Sequence, residues 1–356
     1  MHSLKLSVMD EKRGEFARLR NTNVLIYWPH GLGDWVHLSV ILPLLESSNR
    51  YYITRFGDDF VSVLDGNAYV RTIHTGGNQI SDGTALGARH LGLDFKRIDG
   101  GAADVRIPPP LHAAMIAANI QTVLYTDYPD NEGGAPFPFH TKARKLLRQL
   151  VTPQRLAAFD LAVPLRSTID FHVGPALQRA VDDRLRAIVE PGKRLCIVLP
   201  SGHTSTAKSW DPREVDRFVQ GLNTRDVRWR FFFPESDFGT LFSDLGRPFA
   251  QVFKAVLARA DLVAGVPAGP LHMALARNDV PVIGIWQAHH PDWYDEPSPR
   301  AVHVVGAGVP RAAFWKRASI RRAAALKPQS LQHRIQLTGA RRIPAEAALE
   351  AAEKVL

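Results

Sequence analysis

The sequence has one cysteine, Cys196, among its 356 residues. A single thiol can form neither an internal disulfide nor a multi-thiolate metal site, which excludes a disulfide scaffold and is typical of a reducing compartment. The sequence also lacks any run of about 18 apolar residues, so it predicts no membrane-spanning helix. Its first residues carry scattered charges where a signal peptide would have an apolar core. We therefore expect a cytoplasmic protein.

Acidic residues are missing from one long segment. Residues 298–344 contain no aspartate or glutamate but ten lysines and arginines, which leaves 34 basic and 35 acidic residues elsewhere. The formal net charge of +9 therefore comes from this segment. Such a segment attracts phosphorylated substrates or anionic membranes, unless it is simply a solvated basic face. We expect peripheral association with an anionic inner membrane, and no nucleic-acid partner, because no nucleic-acid motif accompanies the charge.

Apolar runs alternate with helical patterns in two series, and the composition, 45% hydrophobic and 22% charged, is that of a globular protein. Predicted strands of the two series lie at 24–28, 51–55 and 122–125, and at 195–199, 229–233, 261–264 and 280–285. Predicted helices of the second series lie at 212–222, 250–258 and 269–276. Continuous apolar strands between helices predict an α/β fold of parallel sheets covered on both faces.

The length and the two series predict two Rossmann-like domains. We expect one domain over residues 1–170 and a second over residues 185–335. We expect a final helix over residues 343–356. One arrangement open to it is to pack back against the N-terminal domain.

The loop after the first strand contains Gly31, Gly33 and Asp34. Glycines there permit a tight turn and close backbone approach, and ligands of parallel sheets bind at the carboxyl ends of strands. The loop is not a dinucleotide-binding motif, because Val36 stands where the third glycine belongs. Asp34 has two interpretations: it caps the amides at the start of the helix, or it is a carboxylate base that faces a cleft.

The segment after the strand at 195–199 is rich in hydroxyls and contains a lysine. Ser201, Thr204, Ser205 and Lys208 offer neutral donors and one positive charge, which suits a diphosphate. The alternative interpretation is a polar turn that leads to a helix capped by Asp211.

Two further segments follow strands of the second series. After the strand at 261–264, a Gly/Pro-rich turn leads into a helix that begins near Gly269, so that its first amides could bind an anion. His272, one turn inside, would by itself more often be structural. The second segment follows the strand at 280–285 and contains the adjacent histidines His289 and His290. Adjacent histidines rarely bind one metal ion together, so we interpret this loop as lining a base or sugar pocket.

In order and spacing these segments resemble glycosyltransferase family 9, the bacterial ADP-heptose:lipopolysaccharide heptosyltransferases. The resemblance covers roughly residues 22–356 and is weakest over 60–160; it rests on residues 31–34, 208–212, 260–263 and 269–274. It implies the GT-B fold, in which two Rossmann-like domains with parallel sheets face each other across an interdomain cleft.

The resemblance also implies an activity. An inverting glycosyltransferase of lipopolysaccharide biosynthesis would move a heptose or related sugar from a nucleotide-diphosphate donor, ADP-heptose first, to a glycan or lipid-linked acceptor. Asp34 would be the general base, and Lys208 would assist the departure of the diphosphate. We expect donor contacts from Gly33, Ser201, Thr204, Ser205, Lys208, Glu235, Gly269, Pro270, Leu271 and His272. We expect acceptor contacts from His30, Arg55, His140 and Lys142. The resemblance thus implies that residues 1–170 form the acceptor-binding domain and residues 185–335 the nucleotide-sugar-binding domain.

One departure from the family pattern affects the chemistry. Pro267 and Ala268 stand where the family usually has Asp-Thr, which removes a carboxylate and a hydroxyl. We therefore expect no metal cofactor, with Mg²⁺ bound through another carboxylate as the alternative. The departure also keeps other functions open: a catalytically silent nucleotide-sugar-binding or assembly protein, an enzyme with a non-lipopolysaccharide acceptor, or a nucleotide-sugar epimerase. One cysteine cannot build the iron site expected of the autotransporter heptosyltransferases.

Overall fold

The computed structural model describes twelve stretches of the chain: residues 3–6, 21–27, 31–45, 47–54, 60–74, 103–106, 109–125, 167–202, 208–287, 290–291, 298–309 and 342–356. The strands are β1 (Ser3–Leu6), β2 (Asn23–Tyr27), β3 (Arg50–Thr54), β4 (Val70–Thr72), β5 (Ala103–Arg106), β6 (Thr122–Tyr125), β7 (Arg194–Leu199), β8 (Trp229–Phe232), β9 (Leu262–Gly265), β10 (Val282–Trp286) and β11 (Ala301–Val305). The α-helices are α1 (Leu32–Leu38), α2 (Pro109–Ala117), α3 (Pro175–Leu185), α4 (Pro212–Arg225), α5 (Pro234–Phe242), α6 (Phe249–Leu257), α7 (Gly269–Arg277) and α8 (Ala345–Val355).

The first half forms a parallel sheet in the order β4-β3-β2-β6. Counted along the chain within this sheet, the order is 3-2-1-4, as in half of a Rossmann fold. The order reverses between β2 and β6, so the loop after β2 opens at the switch point, where ligands of such sheets bind. The pair β1 and β5 is antiparallel and separate from this sheet.

The second half forms a five-stranded parallel sheet in the order β11-β10-β9-β7-β8. This is the order 2-1-3-4-5 of a doubly wound sheet, with its switch point between β7 and β9. Alternate residues of β7 enter two different apolar clusters: Leu195, Ile197 and Leu199 belong to one, and Cys196 and Val198 to the other. Both faces of the sheet are therefore covered, which is why its strands are continuous apolar runs.

The first helix is shorter than its apolar pattern indicates. Apolar residues at helical spacing continue to Leu45, but α1 ends at Leu38 and a 3₁₀ helix, Ser39–Leu44, follows. Pro43 lies inside that segment. Proline has no amide hydrogen to donate and its ring collides with the preceding turn, so an α-helix cannot continue through it at low cost.

The C-terminal helix packs on the second half, against α4, rather than back on the first domain. The indole N–H of Trp210 donates to Ile343 O at 2.8 Å, and Ala345 N donates to Glu214 Oε2 at 2.9 Å. Gly221 allows close approach, since an added Cβ would lie 2.5 Å from Leu349 Cδ1. These anchors hold α8 over the face of the second sheet that contains Cys196 and Val198.

The chain passes from one half to the other between residues 170 and 175. Thr168 is tied to the first half, because its N–H donates to Ser39 Oγ at 3.0 Å and its carbonyl accepts from Asn67 Nδ2 at 2.7 Å. Helix α3 belongs to the second half, where Gln178 Nε2 donates to Ala255 O at 3.2 Å.

A polar contact joins the halves beside this crossing. Gln251 Nε2 on α6 donates to Asp65 Oδ2 at 2.6 Å, and Lys254 Nζ donates to Asp65 O at 3.5 Å. Lys254 is only 2% exposed. Burial lowers the pKa of Lys254 to about 8, although the charges of Asp170 and Asp65 act to raise it. None of the helices in the described stretches is both long and apolar enough to cross a membrane.

Candidate functional site

The two sheets meet through the helices that begin at their switch points. Helix α1 starts after β2 and α7 starts after β9, and the two helices are in direct contact. A Cβ added to Gly269 would lie 2.6 Å from Leu32 Cβ, and one added to Gly33 would lie 2.7 Å from His272 Cδ2. Glycine at both positions lets the first turns of the helices touch, which brings two of the predicted segments together.

Asp34 is the third residue of α1 and is partly exposed. Its Oδ2 accepts a hydrogen bond from Gly31 N, the residue that precedes the helix, at 3.2 Å. The capping interpretation of Asp34 therefore has a defined contact. A carboxylate has about four acceptor sites, so the bond from Gly31 N does not by itself prevent Asp34 from accepting a proton.

The loop that carries Lys208 is closed at its base. Trp210 N donates to Pro200 O at 2.7 Å, and the buried Trp210 ring is fixed by its bond to Ile343. Gln287 Nε2 donates to Ser209 O at 2.6 Å. Lys208 is half-buried, and the backbone that follows it is held in place by these hydrogen bonds.

Two of the predicted donor residues touch each other. Ser201 Oγ donates to Glu235 Oε1, which joins the loop after β7 to the first turn of α5. Thr204 and Ser205 lie outside the described residues, as do the predicted acceptor residues His30, Arg55, His140 and Lys142. Asp211 caps α4 as expected, since its carboxylate accepts from Arg213 N at 3.0 Å.

The first turn of α7 has neither a capping side chain nor an acidic residue to accept hydrogen bonds from its first amides. Ala268 is the capping residue and makes no side-chain cap, and the first turn contains no acidic residue. Pro270 has no N–H, and His272 N donates to Ala268 O at 3.2 Å. Within the helix, the amides of Gly269 and Leu271 have no acceptor, because the first turn of any α-helix lacks one. An anion at this end would be stabilised by both amides and by the helix dipole.

The Lys208 loop and the start of α7 are adjacent. Leu199 and Gly265 are register partners at the carboxyl ends of β7 and β9, and Val266 N donates to Leu199 O at 2.9 Å. Two segments more than 60 residues apart in the sequence thus lie side by side at the switch point of the second sheet.

His272 is 3% exposed, and its ring is packed among other rings. It meets His37 at 4.6 Å and Trp286 at 6.4 Å between centroids. The structural interpretation of this histidine therefore has clear contacts, and a donor contact from it stays a prediction.

Gln287 is the residue that sequence reasoning missed. It is buried, donates to Ser209 O, and accepts from Ile343 N at 3.4 Å, so it ties the Lys208 loop to the segment before α8. A glutamine directly after a buried strand was the available signal. His290 lies in the described part of the same predicted pocket loop, whereas His289 does not.

In the described stretches no three or more histidine, cysteine, aspartate or glutamate side chains are grouped as ligands for a metal ion. The expectation of catalysis without a metal stays a prediction.

No protein-family model matches the chain, and no curated protein matches it. Solved structures do. The family 9 glycosyltransferase from Veillonella parvula is 12% identical, with 95% of this chain and 98% of that one covered and a TM-score of 0.53. The ADP-heptose lipopolysaccharide heptosyltransferase II of Escherichia coli is 13% identical, with 89% and 99% covered and a TM-score of 0.51.

A third solved structure is the iron-containing dodecameric glycosyltransferase TibC of enterotoxigenic Escherichia coli, 14% identical, with 96% of this chain and 78% of that one covered and a TM-score of 0.51. At these identities the likeness establishes the fold. The predicted α/β class, the GT-B arrangement of two Rossmann-like domains, is confirmed, and so is the resemblance to family 9 at the level of the fold.

Proposed function

We propose that this protein is an inverting glycosyltransferase that moves a heptose or related sugar from a nucleotide-diphosphate donor, ADP-heptose first, to an acceptor hydroxyl. The observation that carries the proposal is the contact between the first turns of α1 and α7. It brings the first turn of α1, which carries Asp34, against the helix end at which an anion would be held. A base and an anion site from opposite domains are what a transfer between two substrates needs.

The donor lies against the second half in this proposal. Lys208 and the amides of Gly269 and Leu271 stabilise the charge that grows on the departing diphosphate, and Thr204 and Ser205 orient it. Ser201 and Glu235, which follow the carboxyl ends of β7 and β8, are joined by a hydrogen bond near the same group of loops. Pro267 supplies no carboxylate at this turn, so we propose that these groups neutralise the leaving group without a metal ion.

The acceptor lies against the first half. Asp34 takes the proton of the acceptor hydroxyl as its oxygen attacks the anomeric carbon. The bond from that carbon to the diphosphate oxygen breaks, the nucleoside diphosphate leaves with the bonding electrons, and the single displacement inverts the anomeric configuration. General-base catalysis of this kind contributes about 10²–10⁴ in rate.

The basic segment 298–344 supports an acceptor presented at an anionic surface. Each basic residue near such a surface contributes about 1 kcal/mol, so we propose peripheral binding to the inner membrane and a lipid-linked glycan as acceptor. Flotation with phosphatidylglycerol vesicles should capture the protein at low salt and release it as salt rises. Recovery in the unbound fraction at low salt would exclude the membrane part of the proposal.

A second candidate is a nucleotide-sugar-binding protein without turnover, and the replacement of Asp-Thr by Pro267 and Ala268 favours it. A thermal-shift series with ADP, UDP and GDP, each against its monophosphate, tests binding, because a ligand of the folded state raises the melting temperature. Diphosphates should raise it more than monophosphates. Donor hydrolysis or transfer then identifies the enzyme, and binding without either product identifies the silent protein. No shift with any diphosphate would contradict both.

A further inference from the structure

His37 has no role in the proposed chemistry, yet it is one of the most enclosed polar residues of the first half. It lies on α1, one turn after Asp34, and is 1% exposed. Its ring meets that of His272 on α7 edge-on, with 4.6 Å between centroids and 65° between planes. The pair joins the helix of the candidate base to the helix of the candidate diphosphate site.

The His272 ring fits between two residues of α1. Gly33 and His37 are four positions apart and share one face of that helix. His272 Cδ2 lies 2.7 Å from the place a Gly33 Cβ would take, so the ring occupies the space that the glycine leaves. His37 covers the same ring one turn further along. Any shift of α7 along α1 would have to displace one of these two contacts.

His272 also has a ring neighbour in the second half. Trp286 on β10 is 1% exposed and lies 6.4 Å from His272 between ring centroids. Its indole N–H donates to His303 Nδ1 at 2.9 Å, which fixes the indole ring and requires the imidazole hydrogen of a neutral His303 to be on Nε2. His272 therefore meets a fixed ring of the second half as well as the ring of His37.

We propose that His37 is a positioning residue: through the His272 ring it sets the distance between Asp34 and the first turn of α7, and so between the base and the leaving group. The inference rests on the proposed function and names a residue that the family motifs did not supply. Because His37 belongs to the acceptor half, its loss should change the alignment of the two substrates and leave donor binding to the second half nearly intact. Misplacement by about 1 Å can lower a rate by roughly 10²-fold.

The test uses His37→Leu, which fills the buried space without a ring, and His37→Phe, which restores a ring. We expect His37→Leu to lower kcat by about 10- to 100-fold, because the base and the leaving group are misaligned. The Kd for ADP should stay within about threefold of the wild-type value, since only a weak ring contact is lost on the donor side. His37→Phe should recover most of kcat. Ile53→Val, a small change at a fully buried position of β3, is the control for destabilisation alone and should change neither quantity.

A double-mutant cycle with His272→Ala shows whether His37 acts through His272. In the His272→Ala background, His37→Leu should cost less than about threefold in kcat. Full additivity, or a His37→Leu variant with wild-type kcat, would overturn the inference. A loss of ADP affinity as large as the loss of kcat would also overturn it, because His37 would then serve donor binding. If the wild-type protein shows no turnover, the proposed function fails first, and this inference fails with it.

Discussion

The starts of α1 and α7 follow the same plan and differ in one respect. Each helix begins directly after a buried parallel strand, at the switch point of its sheet. In α1 the helix's own carboxylate, Asp34, accepts from the amide of Gly31. In α7 the capping residue is Ala268, and the first turn contains no acid. The start of α1 carries its own negative group, the Asp34 carboxylate, whereas the start of α7 is suited to bind an anionic ligand.

In the proposed function this difference assigns the donor to the second half and the acceptor to the first. The positive end of α7 stabilises a diphosphate, whereas the negative charge at α1 repels one and is suited to hold a proton. Because Gly33 and Gly269 allow the two helix starts to touch, the proposed base and the proposed diphosphate site belong to neighbouring turns. Changes at either start should therefore affect different steps.

The largest effect should come from the carboxylate of α1. Asp34→Asn keeps an oxygen that can accept from Gly31 N, so we expect a melting temperature and ADP affinity close to wild type. Without a base, kcat should fall by roughly 10²–10⁴. Asp34→Ala is the matched variant that also removes the capping contact, at about 1 kcal/mol of stability. Wild-type turnover in Asp34→Asn, with only Asp34→Ala destabilised, would reduce Asp34 to a capping residue.

At the other helix start, Lys208→Ala should weaken ADP binding by about 10- to 100-fold, the value of a charged hydrogen bond. Lys208→Arg should retain part of the affinity, because the charge stays but its reach changes. Lys193→Ala serves as the control, since Lys193 precedes the amino end of β7 and the Lys208 loop follows its carboxyl end. Calorimetry with ADP measures all three. Equal affinity for Lys208→Ala and wild type would make the loop a turn only.

Making α7 resemble α1 should reverse its preference. In Ala268→Asp the new carboxylate would cap the amide of Leu271, since Pro270 has none, and add about 1 kcal/mol of stability. The same carboxylate would compete with the diphosphate, and we expect ADP affinity to fall by about tenfold. Ala268→Ser, which caps without a charge, should lose less. Urea unfolding and calorimetry together decide; tighter ADP binding in Ala268→Asp would contradict the assignment.

The smallest effect should be that of metal removal. With Pro267 in place of a carboxylate, turnover should persist in excess EDTA and gain less than about twofold from Mg²⁺, which normally needs one or two protein carboxylates beside a phosphate. An initial-rate assay before and after chelation measures this. Activity that EDTA abolishes and Mg²⁺ restores would show that another carboxylate supplies the ligand, with Glu235 and Asp237 in the first turn of α5 as candidates.

Much of the fold was predictable from the sequence, because most of the buried parallel strands are apolar runs and β2, β7, β8 and β9 are each followed by a helix. The predicted strands and helices of the second half agree with the structure to within a few residues. The antiparallel pair β1 and β5 was not predicted, since its two short segments are about 100 residues apart and carry no strong pattern. The 3₁₀ segment was also missed, because an apolar periodicity does not register the effect of Pro43.

The site was predictable as segments but not as contacts. Lys208, Gly269 and Asp34 could be chosen as candidates from strand–loop–helix patterns together with the family resemblance. The enclosure of His272 by α1 could not, because it depends on how two domains pack and on the space that Gly33 leaves. The bridge from Gln287 to Ser209 and Ile343 likewise joins three segments that are distant in sequence.

The proposed function requires a nucleoside diphosphate to bind where α7 begins, against the first turn of α1. Hydrogen–deuterium exchange with and without saturating ADP tests this binding site. We expect slower exchange at the amides of Gly269 and Leu271 and in the Lys208 loop, with the C-terminal helix α8 unchanged. ADP binding that leaves Gly269 and Leu271 unprotected, or that protects a different part of the chain, would contradict it.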